Sequence, residues 1–128
     1  MHELKMKVRD YECDLQGIVN NANYQHYTEH ARHEMLLDMG LSFADLHRRG
    51  IDCVVARITL AYKTPLRSRD EFVVRTKLFK EGVRYVFQQD IVRLPDQKLA
   101  CRAKVDTVAV VNGELVAQCP ELDRLLPE

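Results

Sequence analysis

One helical segment followed by a series of strand-like segments is the feature that most constrains the fold of this chain. From Ala22 to Met39 the apolar residues recur with the period of an α-helix. From Cys53 onward the chain changes to runs of β-branched and other apolar residues, which turn residues separate. One amphipathic helix cannot bury its own apolar face, and an antiparallel sheet has one apolar face to offer. We therefore expect an α+β fold in which a five-stranded antiparallel sheet wraps around one long central helix.

The long helix has a start signal, a stop signal and one apolar face. Asn20 and Asn21 stand directly before its first residues, and asparagine is a common N-terminal cap. Gly40 follows its end, where a left-handed C-terminal cap belongs. A helix of about 18 residues would be about 27 Å long. Its apolar face is expected to carry Tyr24, Tyr27, Thr28, Ala31, Met35 and Met39.

A short second helix and five strands account for most of the remaining chain. Ser42 and Asp45 form a capping-box pattern, and Gly50 ends this helix. The first strand is expected from Leu4 to Tyr11, where apolar and polar residues alternate. The other strands are expected at residues 53–62, 71–79, 84–94 and 99–111, with Asn112-Gly113 as a hairpin turn before a short returning strand.

Composition and charge restrict the classes of partner. The 128 residues are expected to form one domain, residues 1–128. Nineteen basic residues balance nineteen acidic ones, which argues against a nucleic-acid partner. No apolar run has the length of a signal peptide or of a membrane span. The four cysteines stand far apart without a CxxC pair, so we expect reduced thiols and a cytoplasmic protein.

Two stretches of the sequence resemble a known family. The pattern Y-x-x-D-x-x-G-x-V-x-x-x-x-Y-x-x-Y-x-E-x-A-R is met by Tyr11, Asp14, Gly17, Val19, Tyr24, Tyr27, Glu29, Ala31 and Arg32. The second stretch is Tyr62-Lys63-Thr64-Pro65, followed by Asp70. With them the chain resembles the hotdog-fold acyl-CoA thioesterases of the 4-hydroxybenzoyl-CoA thioesterase family, from about Lys5 to Val111.

The resemblance implies an acyl-CoA thioesterase that hydrolyses a thioester to a free acid and CoA without a metal or another cofactor. It also implies a homodimer or homotetramer with active sites at the subunit interface, and one helix against five strands independently leaves sheet edges to cover. The resemblance places the catalytic carboxylate on Asp14, as general base or nucleophile. It places the backbone N–H that polarises the carbonyl near Asn21, a position at which many relatives carry a histidine. The expected substrate-binding residues are Gly17, Val19, Asn20, Tyr24, Lys63, Lys80 and Arg84.

The chemistry of these residue types agrees with that assignment. The first turn of a helix leaves N–H groups unpaired at the positive end of the helix dipole. Asn20 or Asn21 can cap one of them and leave the next N–H aimed at a ligand oxygen. Gly17 allows a tight loop with no Cβ in the way of an approaching chain. Asp14 is the only acidic residue between Glu12 and Glu29, so it is the natural base or nucleophile.

Two other functions fit the same sequence. A hotdog hydratase or dehydratase would act on enoyl or hydroxyacyl thioesters, a chemistry that usually pairs a histidine with an acid. No histidine lies between His2 and His26. A non-catalytic acyl-CoA-binding module would keep the start of the helix but would not need Asp14.

Other reactive side chains in the same region have plainer interpretations. Cys13 has no histidine nearby in sequence to activate its thiol. His26, His30 and His33 share one side of the helix, a spacing that could hold a metal, but this side is opposite the tyrosines and is expected to be a polar surface. Glu29 is expected to be a structural or interface partner, with Arg32 as the candidate counter-ion. The basic residues that could meet CoA phosphates are Lys63, Arg67, Arg69, Lys80 and Arg84.

Overall fold

The computed structural model describes residues 1–127, and its helices and strands follow the expected order. The helices are α1 (Asn21–Asp38), α2 (Phe43–Arg48) and α3 (Pro120–Asp123), and a 3₁₀ turn spans Asp10–Glu12. The strands are β1 (His2–Lys7), β2 (Ile51–Tyr62), β3 (Glu71–Glu81), β4 (Arg84–Leu94), β5 (Leu99–Val111) and β6 (Glu114–Val116). Within residues 1–127 no helix is long and apolar enough to cross a membrane.

Strands β1 to β5 form one antiparallel sheet in the order β1-β3-β4-β5-β2, and β6 pairs with the end of β5. This confirms the predicted sheet, and the curled sheet around one long helix is the hotdog fold that the resemblance implied. Asn112 and Gly113 both have a positive φ, as the hairpin turn between β5 and β6 requires. The outer edge of β2 has no strand partner among the residues that the structure describes.

Helix α1 buries its tyrosine face against the sheet, as predicted. Tyr24, Tyr27 and Ala31 pack in one apolar cluster, and Met35 and Leu36 pack in a second one. Met39, which was expected on the same face, is 44% exposed because the helix ends at Asp38. The side chain of Ser42 accepts the hydrogen bond of the Asp45 N–H at 2.9 Å, which confirms the predicted cap of α2.

The first strand is shorter than predicted. β1 ends at Lys7, and the residues up to Tyr11 turn away from the sheet instead of extending it. The cause is local, because the Arg9 N–H donates to Glu12 Oε1 at 2.8 Å and closes the 3₁₀ turn. Tyr11 is 78% exposed as a result. This turn leads the chain directly into the predicted site.

Buried residues interrupt the polar face that was predicted for β5. The sequence also did not predict the short terminal helix. Ala100 and Asp106 are buried although they alternate with the core-facing residues of β5. The Asp106 carboxylate accepts from Arg84 Nη1 at 2.8 Å, which compensates part of its burial. The segment after β6 forms α3, whose Leu122 packs into the core.

Candidate active site

The loop that carries Asp14 is a tight turn, and we call residues 13–19 the Asp14 loop. Cys13 and Val19 form an antiparallel bridge at its base. Inside it, the Asp14 N–H donates to the Ile18 carbonyl at 2.8 Å, and the Gly17 N–H donates to the Asp14 carbonyl at 3.0 Å. Gly17 has a φ of 79°, a left-handed conformation that glycine adopts at little cost. The loop therefore has a defined shape, as the glycine predicted.

The Asp14 side chain is exposed and only partly engaged. Its Oδ1 accepts the Gln16 N–H at 2.8 Å, which forms an Asx-type turn. Within residues 1–127 no ion pair involves this carboxylate, and its second oxygen accepts no hydrogen bond. A solvent-facing carboxylate with one unoccupied oxygen can take a proton from water or attack a carbonyl carbon.

The start of α1 carries the predicted cap and an unpaired donor. Asn20 is the N-cap, and its Oδ1 accepts the Ala22 N–H at 3.0 Å. The Asn20 carbonyl accepts the Asn23 N–H at 2.9 Å. Between them, the Asn21 N–H donates to no acceptor within residues 1–127. An unpaired N–H at the positive end of a helix is suited to an oxygen that gains negative charge.

A cavity of about 210 Å³ lies beside this helix start, between α1 and the segment after β2. Val19 and Tyr24 are buried in its wall, and their exposed fractions are 1% and 3%. The Tyr62 phenol donates to the Asn21 carbonyl at 3.4 Å, and its ring meets the ring of Tyr24 edge-on at 5.4 Å. The lining residues are Ile18, Val19, Asn21, Tyr24, Tyr62, Lys63, Thr64 and Pro65.

The structure brings together four of the residues predicted from the sequence, Val19, Asn21, Tyr24 and Lys63, in the wall of this cavity. Three others adjoin the cavity without lining it. These are Asp14 and Gly17 in the Asp14 loop and Asn20 at the cap. The two family-like stretches of the sequence therefore meet in space at the N-terminus of α1.

Lys80 and Arg84 lie elsewhere in the chain. They flank the turn between β3 and β4, at the far end of β3, which is about 30 Å from its beginning. Lys80 Nζ donates to the Ala117 carbonyl at 2.7 Å, and Arg84 is paired with Asp106 at 2.8 Å. Within one chain neither residue lines the cavity. Their contact with CoA therefore stays a prediction, and it requires that a second copy of the chain supply them.

The plainer interpretations of the neighbouring side chains can also be compared with the structure. Burial, with the nearby carboxylates, raises the pKa of the Cys13 thiol, which disfavours the reactive thiolate. His26, His30 and His33 are exposed. Within residues 1–127 no group of three or more histidine, cysteine, aspartate or glutamate residues could hold a metal ion.

Arg32 is not paired with Glu29 as the sequence suggested. Its side chain is buried, and its Nη1 donates to Gln89 Oε1 at 3.1 Å. Gln89 is fixed in turn, because its amide donates to the Thr28 carbonyl at 2.9 Å and to Thr76 Oγ1 at 3.1 Å. This network joins the middle of α1 to β3 and β4.

One buried residue beside the Asp14 loop was missed in the sequence. Glu12 is 5% exposed, and its Oε1 accepts the Tyr27 phenol at 2.9 Å while its Oε2 accepts Arg9 Nη2 at 2.9 Å. Burial alone would raise the pKa of Glu12, but the hydrogen bonds from Arg9 and Tyr27 outweigh it and hold the pKa of this carboxyl below its ordinary value. The signals for this cluster were the three-residue spacing of Arg9 and Glu12 and the position of Tyr27 on the buried face of α1.

Comparison with known proteins agrees with this fold. The sequence profile described as the thioesterase-like superfamily matches residues 8–123. The chloroplastic acyl-acyl carrier protein thioesterase ATL3 of Arabidopsis thaliana is 39% identical over 104 residues, which cover 80% of this chain and 55% of that protein. The chain thus spans little more than half the length of this curated relative.

Two solved structures have the same fold over nearly the whole chain. A hypothetical protein of Aquifex aeolicus superposes with a TM-score of 0.91 at 27% identity, covering 99% of this chain and 100% of that one. A 1,4-dihydroxy-2-naphthoyl-CoA thioesterase of Synechocystis superposes with a TM-score of 0.90 at 14% identity, covering 97% of this chain and 93% of that one. At 14% identity, the similarity to the second structure supports a shared fold but not a shared substrate.

The curled antiparallel sheet around one central helix defines a hotdog fold. With the profile match over residues 8–123, the chain belongs to the thioesterase-like superfamily.

Proposed function

We propose that this chain is an acyl-CoA thioesterase, which hydrolyses an acyl-CoA to a free acid and CoA. The observation that carries the proposal is the unpaired Asn21 N–H at the start of α1, directly after the loop that presents the exposed Asp14 carboxylate. Membership of the thioesterase-like superfamily supports the same reaction class.

In the proposed reaction the thioester carbonyl oxygen accepts the Asn21 N–H. As the carbonyl carbon becomes tetrahedral, this oxygen gains negative charge, and one such donor is worth about 3–4 kcal/mol. With Asp14 as general base, its carboxylate takes a proton from water while the water oxygen bonds to the carbonyl carbon. The intermediate then collapses, the C–S bond breaks, and the thiolate of CoA takes up the proton.

Asp14 has an alternative role as the nucleophile. Its oxygen would bond to the carbonyl carbon and expel the CoA thiolate, which leaves a mixed anhydride between Asp14 and the acyl group. Water would then cleave this anhydride and restore the carboxylate. Incorporation of ¹⁸O into Asp14 during a single turnover in ¹⁸O-labelled water would demonstrate the anhydride route, because only attack of water on the Asp14 carbonyl of the anhydride places a water oxygen on the protein.

The cavity beside α1 supports a position for the substrate near its thioester group. Tyr24, Tyr62 and Val19 offer apolar walls, and Lys63 stands at the same cavity with a charge suited to a CoA phosphate. No histidine lines this cavity within residues 1–127, which disfavours the hydratase alternative.

We also propose that the working unit is a homodimer or a homotetramer. The outer edge of β2 is unpaired, and Val54 and Val55 on this strand are 45% and 42% exposed. If the β2 edges of two copies paired, their free backbone groups would form hydrogen bonds and the exposed valines would be covered. This pairing could also bring Lys80 or Arg84 of one copy toward the cavity of another. The cytoplasmic location stays a prediction, which fractionation of the source cells would test.

The direct experiment is a thiol-release assay with a panel of short, long and aromatic acyl-CoAs, run beside the matching acyl-acyl carrier protein substrates. The expected result is turnover of at least one acyl-CoA by the parent protein, and loss of that turnover in Asp14→Asn. A protein that binds acyl-CoA but releases no thiol from any of them would contradict the proposal and favour the binding module. If only the acyl-acyl carrier protein substrates were hydrolysed, the proposed thioester hydrolysis would stand, but the acyl carrier would be a protein and not CoA.

A further inference from the structure

Glu12 contacts the start of α1 through both its main chain and its side chain. The Glu12 carbonyl accepts the Asn20 N–H at 2.9 Å and the Asn23 side-chain amide at 2.8 Å. Its carboxylate accepts the phenol of Tyr27, which lies one turn further along the helix. A single residue thus joins the base of the Asp14 loop to α1 at three points.

Tyr27 gives this connection a rigid support. Its side chain is 1% exposed, and its ring meets the ring of Phe72 on β3 at 4.7 Å. Arg9 also holds the carboxylate, because its main-chain N–H donates to Oε1, as Tyr27 does, and its Nη2 donates to Oε2. A site that must hold its geometry within a fraction of an ångström needs such support from buried neighbours.

We propose that Glu12 is a positioning residue, which fixes the Asp14 loop relative to the unpaired Asn21 N–H. The inference rests on the proposed function, since it assigns the distance between Asp14 and Asn21 a role in turnover. Glu12 touches no reacting atom and acts only through the loop that it anchors.

The contacts require a carboxylate at this position. Three donors point at the two oxygens of Glu12: the Tyr27 phenol, the Arg9 N–H and the Arg9 guanidinium. A carboxylate only accepts, so it can satisfy all three. A glutamine would present an NH₂ group to one of these donors, lose that hydrogen bond and place two donors against each other. Glu12→Gln is therefore a change of one atom that loosens the anchor without changing its size.

The chain offers a matched control at its other end. The phenol of Tyr85 donates to Asp123 Oδ1 at 2.6 Å and accepts the Cys119 N–H at 2.8 Å, which docks α3 onto β4. Tyr85 is buried like Tyr27, and removal of its hydroxyl deletes the same atom from the same kind of contact. Within residues 1–127 no hydrogen bond joins Tyr85 or α3 to the Asp14 loop, and Tyr85 packs in a different buried cluster from Tyr27.

The test compares Glu12→Gln, Tyr27→Phe and Tyr85→Phe with the parent protein in kcat, KM and thermal unfolding. For Glu12→Gln we expect kcat to fall by about tenfold or more, since small misplacements near reacting groups can cost up to about a hundredfold. KM should change by less than about threefold. Tyr27→Phe should show a smaller fall of kcat in the same direction. Tyr85→Phe should lower Tm by a similar amount with kcat close to that of the parent.

A kcat of Glu12→Gln within about twofold of the parent would overturn the inference. So would equal losses of kcat in Glu12→Gln and Tyr85→Phe, because both variants would then act through general stability. Hydrogen exchange of the main-chain amides gives a readout that does not depend on activity. Faster exchange confined to residues 13–23 in Glu12→Gln supports the anchor, and unchanged exchange there overturns it.

The same readout separates this inference from the proposed function. If the parent protein hydrolyses none of the thioesters, the proposed reaction fails. The exchange pattern then decides alone whether Glu12 anchors the loop.

Discussion

The phenol of Tyr27 donates a hydrogen bond to the carboxylate of Glu12 at 2.9 Å inside the protein, and this contact ties the central helix to the loop that carries Asp14. Both partners are almost fully buried. The ionised form of Glu12 is the one that accepts all of its hydrogen bonds. The contact is therefore sensitive to pH.

The first prediction concerns acid. The folded protein holds the pKa of Glu12 below its ordinary value, so the ionised carboxylate contributes stability above the unfolded pKa, about 4.3. That contribution is lost as the pH falls through the folded pKa. Between pH 6 and pH 3 the free energy of unfolding should fall more steeply in the parent protein than in Glu12→Gln, as measured by urea titrations at each pH. If the free energy of unfolding fell equally with pH in both proteins, Glu12 would not contribute to the loss of stability in acid.

The second prediction concerns Asp14. Asp14→Asn keeps an oxygen that can accept the Gln16 N–H, so the Asx-type turn and the fold should survive. It removes the basic oxygen, and hydrolysis should fall by about a hundredfold or more. The dissociation constant of a non-hydrolysable acyl-CoA should change far less, because the Asn21 N–H is retained.

Glu114→Gln on β6 is the matched control for this change. It neutralises another exposed carboxylate, away from α1, and should keep full turnover. Turnover of Asp14→Asn within about threefold of the parent, with the fold intact, would exclude Asp14 from the mechanism.

The third prediction concerns the cap of α1. Asn20→Ala removes the oxygen that accepts the Ala22 N–H and should lower the free energy of unfolding by about 1 kcal/mol. Asn20→Asp retains that oxygen and should recover most of the loss. Urea unfolding of the three proteins at pH 7 measures both effects. Equal stability of Asn20→Ala and the parent would mean that the cap is dispensable.

The fourth prediction concerns association through β2. Light scattering at micromolar concentration should give at least twice the 14.9 kDa mass of the chain. Val55→Asp places a charge among the exposed valines of this strand and should shift the mass toward that of one chain. A charge of the same kind on the exposed 3₁₀ turn, Tyr11→Asp, should leave the mass unchanged. A parent protein that scatters as a single chain would contradict the prediction.

The sequence predicted those features that depend on local patterns. The buried face of α1, an asparagine cap at its start and the β4 and β5 boundaries followed from periodicity and from cap residues, and the structure confirms them. Of the two candidate caps, Asn20 and Asn21, the structure shows that Asn20 is the cap. Periodicity also showed that Tyr27 is buried, but it could not show which group its hydroxyl meets. That partner, Glu12, lies 15 residues away in a turn that the alternation of β1 concealed.

The positions of distant residues relative to each other were beyond the sequence. Lys63 and Lys80 were equivalent candidates for a CoA phosphate, since both are basic residues near a turn. Only the sheet order shows that the first adjoins the start of α1 while the second lies at the far end of β3. Local patterns do not encode this difference, because it arises from which strands pair.

The two edges of the sheet differ in a way that limits how far the chain can polymerise. β1 is short and carries Glu3, Lys5 and Lys7, and such charges discourage further strand pairing. β2 is twice as long, with twelve residues against six, and its only charged residues are Asp52 near its start and Arg57. If two copies join through β2, both ends of the combined sheet are β1 edges that repel addition. Growth of the sheet by strand pairing then stops at two copies, and a homotetramer has to join such pairs through another surface. The unpaired β2 edge therefore does not lead to a fibre.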